Sequence, residues 1–153
     1  MAFITTLLAL ALAALSIYAL IHPAQSIPKL QRYESKAEKA AKWSNVADNK
    51  LRRTRFTVGA ALVMTLVSAL SSLQYLLYGA PGFSVYAVAW AGAMCVAEVR
   101  VSEYVRQFWA KEAKVPMMDD YNDAISAMMA TTQLSQGLAA GWGAMAVLKL
   151  FGY

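Results

Sequence analysis

The chain has 153 residues, 59% apolar and 15% charged, with a formal net charge of +5, whereas a soluble domain carries about 25% charged residues. Mean hydropathy is +0.42, and the charges leave three charge-free runs, 1–28, 56–97 and 124–148. This excludes a water-soluble globular domain, and a nucleic-acid surface too, because the basic residues flank apolar runs without a reading element. One His and one Cys exclude a zinc, haem or iron–sulfur constellation, and no metal is expected.

A helix rises about 1.5 Å per residue, so crossing a hydrocarbon core of about 30 Å takes about 20 residues. The first run predicts a span over about 3–22, ending at His22-Pro23. It lacks the basic start and small-x-small site of a secretory signal, so it reads as an uncleaved span. Ala9 and Ala13 have small-x3-small spacing. The segment 29–55 holds nine Lys and Arg residues against Glu34, Glu38 and Asp48. Within it 34–43 favours a short surface helix, with Glu38 and Lys42 as i,i+4 partners and Trp43 dipping into the interface.

The middle run of 42 residues is too long for one span. Pro and Gly at 79–82 mark a tight turn, and Tyr75, Tyr78, Phe83 and Tyr86 surround it as interfacial anchors do. Spans over about 54–78 and 83–110 follow. A fourth, about 120–149, begins with Asp119 and Asp120, which suit a helix N-terminus. It carries Thr131, Thr132, Gln133, Ser135 and Gln136, a polar run expected to face another helix, a subunit or a cavity. Gly137 and Gly141 form a GxxxG pair suited to close helix approach. The expected fold is therefore all-α: a single-domain, integral membrane four-helix bundle over 1–153. Basic loops stay in the cytosol, which places 29–55 and 106–120 there and both termini on the lumenal or periplasmic side. The lipid bilayer is the first partner, with anionic head groups attracted to the basic loop; no nucleic acid is expected.

The third span ends in AEVRVSEYVRQF, residues 97–108. From Phe83, Glu98 lies about 22 Å along the helix, short of the far edge of the core. A charge at that depth is costly and calls for a partner or a water-filled site. Arg100, Glu103, Tyr104 and Gln107 share one helical face; Glu98, Ser102 and Val105 share another. Arg52, Arg53, Arg55 and Asp123 reach the same level on neighbouring helices. Two readings stand side by side: a salt-bridged collar closing the bundle, and a cytosol-facing pocket for an anionic or zwitterionic ligand with Arg100 as clamp.

Chain length, four spans, lumenal termini, a long basic first loop and a tight second one resemble the MAPEG family of microsomal glutathione transferases and related eicosanoid proteins. Locally, 36–45 (KAEKAAKWSN) is similar to the segment leading into that family's second helix, and Trp90 followed by Arg100-x3-Tyr104 looks like its glutathione-contacting third-helix segment. The chain differs from the family at 48–55, at Val99 where a Gly is usual, and at Asp119-Asp120 where an Arg is usual. The resemblance implies a trimer that joins a lipophilic substrate to glutathione. The thiol would enter from the cytosol, held by Arg100 and Tyr104 with Arg53 or Arg55, and Arg100 would help activate it. In a eukaryotic cell it implies the endoplasmic reticulum membrane. Two other expectations remain open. One is a membrane cyclase or isomerase using Glu98 or Asp123 as general acid, since burial favours a protonated carboxyl group. The other is a non-enzymatic subunit or scaffold built around the GxxxG helix.

Overall fold

The computed structural model describes residues 2–41, 45–78, 84–112 and 119–152. They form four helices: α1 (Ala2–Ala41), α2 (Asn45–Tyr78), α3 (Val85–Trp109) and α4 (Asp119–Leu150). The helices pack in a ring in chain order. α1 lies against α2 and α4, α3 lies against α4, and α2 and α3 approach each other least of the four neighbouring pairs. Large side chains bridge that wider edge. Tyr75 Oη donates to the Ala87 carbonyl at 3.0 Å, Trp90 Nε1 to Ser71 Oγ at 3.3 Å, and Trp109 Nε1 to Thr57 Oγ1 at 3.1 Å.

The bundle is apolar outside and partly polar inside. Phe3, Leu7, Leu10, Leu70, Leu77 and Val85 are exposed, whereas Ser16, Thr57, Thr65, Ser68 and Ser72 are fully buried. Water would favour the reverse. In lipid the apolar coat costs nothing, and small or hydroxyl-bearing residues let helices approach and bond. Among the described residues three helical segments are long and apolar enough to cross a membrane: Phe3–Arg32, Asn49–Leu77 and Val85–Trp109. Several buried hydroxyls are satisfied within their own helices: Thr65 Oγ1 donates to the Ala61 carbonyl at 2.9 Å, Thr131 to Ala127 at 2.9 Å and Thr132 to Met128 at 3.0 Å.

The first helix does not stop at Pro23. It runs on for 40 residues with Pro23 and Pro28 inside, about 60 Å in all. An interior proline costs about 3 kcal/mol. Ending the helix in a bilayer, however, would strip a whole turn of backbone groups of their partners. Locally, Ser26 Oγ donates to the His22 carbonyl at 2.9 Å. Beyond Pro28 the expected surface helix is simply the continuation of α1; Trp43 lies outside the described residues. Likewise α2 starts at Asn45 rather than near 54, because charged residues end an apolar run without ending a helix. α3 and α4 begin and end within two residues of the expected limits. The tight turn at 79–82 and Phe83 lie outside the described residues.

The two glycines of α4 differ in setting: Gly141 is half-buried against α1, whereas Gly137 is exposed. A Cβ on Gly141 would lie 2.6 Å from Leu12 Cδ2 and 3.4 Å from its Cγ, whereas one on Gly137 would meet Leu15 Cδ2 at 3.5 Å. Leu12 is itself buried, so it has nowhere to swing. Gly141→Ala is therefore expected to destabilise by about 1–3 kcal/mol. Gly137→Ala is expected to be neutral or to stabilise by about 0.5–1 kcal/mol through helix propensity. Melting temperatures in one detergent check the contrast; equal effects at both positions would contradict the notch.

Candidate functional site

Two apolar clusters form the core. One gathers Ala9, Leu12, Met64, Met94, Leu138 and Trp142; the other gathers Leu30, Val58, Val105, Trp109, Tyr121 and Met128. On α3 and α4 the buried polar residues Glu98, Ser102, Thr131, Thr132 and Ser135 fall in sequence between the clusters. Glu98 is fully buried, at 0% exposure. The hydroxyls of Ser68 on α2 and Ser135 on α4 lie beside it, yet neither carboxylate oxygen completes a hydrogen bond.

The two faces of α3 separate as the spacing predicts. Glu98, Ser102 and Val105 are buried; Arg100, Glu103, Tyr104 and Gln107 are exposed. Residues two apart on a helix do not face each other, so Arg100 is turned away from Glu98. Arg100, expected to help activate a thiol, and Glu98, expected as a general acid, thus belong to different places, one outside the bundle and one inside it.

The charged residues at the 29–55 end pair differently from the expectation. Asp123 does not meet the arginines of α2. It accepts from Lys29 Nζ on α1 at 2.7 Å. Glu112, just past α3, takes Lys50 Nζ of α2 at 2.8 Å and the Tyr121 hydroxyl of α4 at 2.7 Å. A collar of ion pairs exists, but it uses residues beyond the ends of the apolar runs. The Lys29–Asp123 pair is partly exposed, so its contribution is within about 1 kcal/mol. Glu112, with a side chain only 12% exposed, ties α2, α3 and α4 together more firmly.

These pairings leave Arg52 and Arg53 without a carboxylate partner among the described residues. Both line a groove of about 350 Å³ with Asn49, Phe56 and Tyr104. A second groove of about 610 Å³ shares Asn49, Arg53 and Tyr104 and extends to Gln107, Phe108 and Lys111 and to the Lys50–Glu112 ion pair. Phe56 and Tyr104 meet edge to face, with ring centroids 5.8 Å apart. The wider α2–α3 edge therefore opens, at its charged end, into an aromatic-floored cleft rimmed by Arg52, Arg53 and Lys111 and, at one end, by the Lys50–Glu112 ion pair. Arg53 and Tyr104, two of the expected cofactor residues, come together there. Arg55 and Arg100 are exposed but do not line either groove. Arg100 sits one turn before Tyr104 on the same face of α3. Sequence reasoning missed Phe56, Asn49 and Gln107 as cleft residues; their helical spacing from Arg52, Arg53 and Tyr104 was the available signal.

On α4 the expected polar run divides. Thr131, Thr132 and Ser135 turn inward, whereas Gln133 and Gln136 are exposed on the same side as Ala140 and Ala144. The six positions 131–136 span more than one and a half turns, so they cannot all face one neighbour. No family model matches the chain, and no curated protein or solved structure matches it.

Proposed function

We propose that this chain is a membrane-embedded transferase or isomerase that presents an anionic thiol of the glutathione class to a lipophilic substrate. The α2–α3 cleft carries the reading: it is the place where guanidinium groups without a carboxylate partner among the described residues, a tyrosine hydroxyl and an apolar exterior adjoin. Arg52 and Arg53 suit bidentate binding of carboxylates. Tyr104 offers a hydroxyl donor, and Asn49 and Gln107 offer amides to a peptide-like backbone. Arg100, one turn away from Tyr104, adds positive charge on the membrane side. When bound, the thiol supplies the nucleophilic sulfur. The surrounding cations favour its ionised form. A lipophilic substrate reaches the cleft through the bilayer along Phe56 and the exposed apolar flank of α2.

The same reading has all four helices spanning the membrane, with the basic 29–55 end in the cytosol and, in a eukaryotic cell, residence in the endoplasmic reticulum. It also includes a homo-oligomer, a trimer by the family resemblance. The outward stripe of Gln133, Gln136, Gly137, Ala140 and Ala144 supports that part, because exposed amides in lipid gain from a partner helix. Sedimentation in detergent tests it, and a monomer at all protein concentrations would sink it.

Calorimetric titration of the purified protein with glutathione tests the main reading. Binding is expected, and Arg53→Ala is expected to weaken it about tenfold or more, because a charge-assisted hydrogen bond contributes about 1.5–3 kcal/mol. No heat with the wild type, or an Arg53→Ala isotherm that overlays it, would overturn the proposal.

A further inference from the structure

Glu98 takes no part in the α2–α3 cleft, and what it does must be read from its own surroundings. All four helices contribute to them. Ser68 Oγ of α2 accepts from Trp142 Nε1 of α4 at 2.8 Å and from Ser16 Oγ of α1 at 3.0 Å. A hydroxyl has two acceptor sites and one proton. With both acceptor sites taken, the Ser68 proton remains for the neighbouring Glu98 carboxyl group, and Ser135 offers a second hydroxyl from α4. Ser16, Ser68 and Trp142 are fully buried and Ser135 nearly so. The hydroxyls are thus turned toward a carboxylate whose own oxygens have no partner.

Among the described residues no countercharge is built in beside Glu98. The runs 1–28 of α1, 56–78 of α2 and 124–148 of α4 contain no Lys, Arg, Asp or Glu. The titratable groups nearby are Tyr75, whose ring meets Trp142 at 5.9 Å, and the half-buried Cys95 thiol one turn earlier on α3. Arg100 faces outward and His22 lies at another level of α1, beside Tyr18. A charge left alone at this depth costs several kcal/mol, and intramembrane carboxyl groups of this kind mark ion and proton sites. One unit of positive charge neutralises it, whereas a divalent ion would leave an excess. Among the described residues no cluster of three metal-ligating side chains exists.

We propose that Glu98, with Ser68 and Ser135, forms a binding site for one monovalent cation, a proton or an alkali ion, at the centre of the bundle. This does not depend on the thiol reading of the cleft. The site makes the bundle's stability and packing responsive to the ion it holds, through hydroxyls donated by three different helices.

Labelling with dicyclohexylcarbodiimide tests it. This apolar reagent enters bilayers and adds to a protonated carboxyl group. The whole protein in vesicles is treated across a pH series in choline chloride, and again with sodium or lithium chloride at fixed pH; adducts are mapped by peptide mass spectrometry. Exposed Glu103 on the same helix is the internal control. Glu98 is expected to label faster than Glu103. A rate that falls with rising pH, by up to about tenfold per unit, and ignores sodium identifies the proton. A rate that also falls as sodium replaces choline identifies the alkali ion. A parallel melting series is expected to show a cation- or pH-dependent midpoint in the wild type and a flat one in Glu98→Gln. Labelling of Glu98 no faster than Glu103, or a rate indifferent to both pH and cation, would overturn the proposal even if the variant fails to fold.

Discussion

Trp142→Ala is expected to lower the stability of the bundle by about 3 kcal/mol, at the lower end of the range for removing a buried tryptophan. Trp142 is fully buried in the apolar cluster with Ala9, Leu12, Met64, Met94 and Leu138. Its ring packs against Tyr75 and its Nε1 donates to Ser68. The lower end of the range applies because in lipid an apolar side chain gains little by leaving the solvent; what remains is the cavity and the lost hydrogen bond. Trp142→Phe keeps most of the volume and loses the bond, so its expected cost is about 1 kcal/mol. Unfolding by a denaturing detergent, read by helicity, gives both values. If Trp142→Phe costs as much as Trp142→Ala, the hydrogen bond to Ser68 outweighs the packing and the account of the core is wrong.

Glu98→Met is expected to act in the opposite direction, stabilising the bundle by about 1–3 kcal/mol. The two chains are close in volume, and the carboxylate oxygens that Met removes have no hydrogen-bond partner to lose. Ser68 keeps the two bonds it accepts, from Trp142 and Ser16, and the Ser68 and Ser135 hydroxyl protons that lose Glu98 as acceptor can turn to carbonyls of their own helices. Replacing a buried charged group by an apolar one of similar size is often neutral or stabilising. The variant should also lose every response of the melting midpoint to cations. A fall in midpoint of several degrees would mean that Glu98 is held by interactions that the hydroxyl network alone does not supply. A residue that weakens the fold in which it sits is what a functional site looks like when stability and activity compete.

The two predictions meet at Ser68. On one side it anchors a tryptophan in the core; on the other it faces a carboxylate that the core does not satisfy. Loading or emptying Glu98 would therefore be felt by Trp142 and, through Ser16, by α1. The α2–α3 cleft lies along the weakest edge of the same ring, where side chains rather than close backbone packing hold the helices together.

How much of this was legible beforehand follows from the range of each interaction. Helix type and number, the apolar lengths and the two faces of α3 come from local periodicity, and the sequence alone carries them: Glu98 and Ser102 are one turn apart whatever surrounds them, and so are Arg100 and Tyr104. Helix ends were less legible. Pro23 read as a stop, yet backbone satisfaction outweighed the proline cost and α1 continued through it and through Pro28. Partners were not legible at all. Asp123 meets Lys29 rather than an arginine, Gln133 turns outward while Thr132 turns inward, and Arg53 meets Tyr104 while Arg100 stays apart. Each of these depends on how four helices rotate and slide against one another. That register is set by Leu12 filling the notch at Gly141 and by Trp109 and Trp142 spanning the interior, contacts between residues 52 to 129 positions apart, which no local pattern encodes.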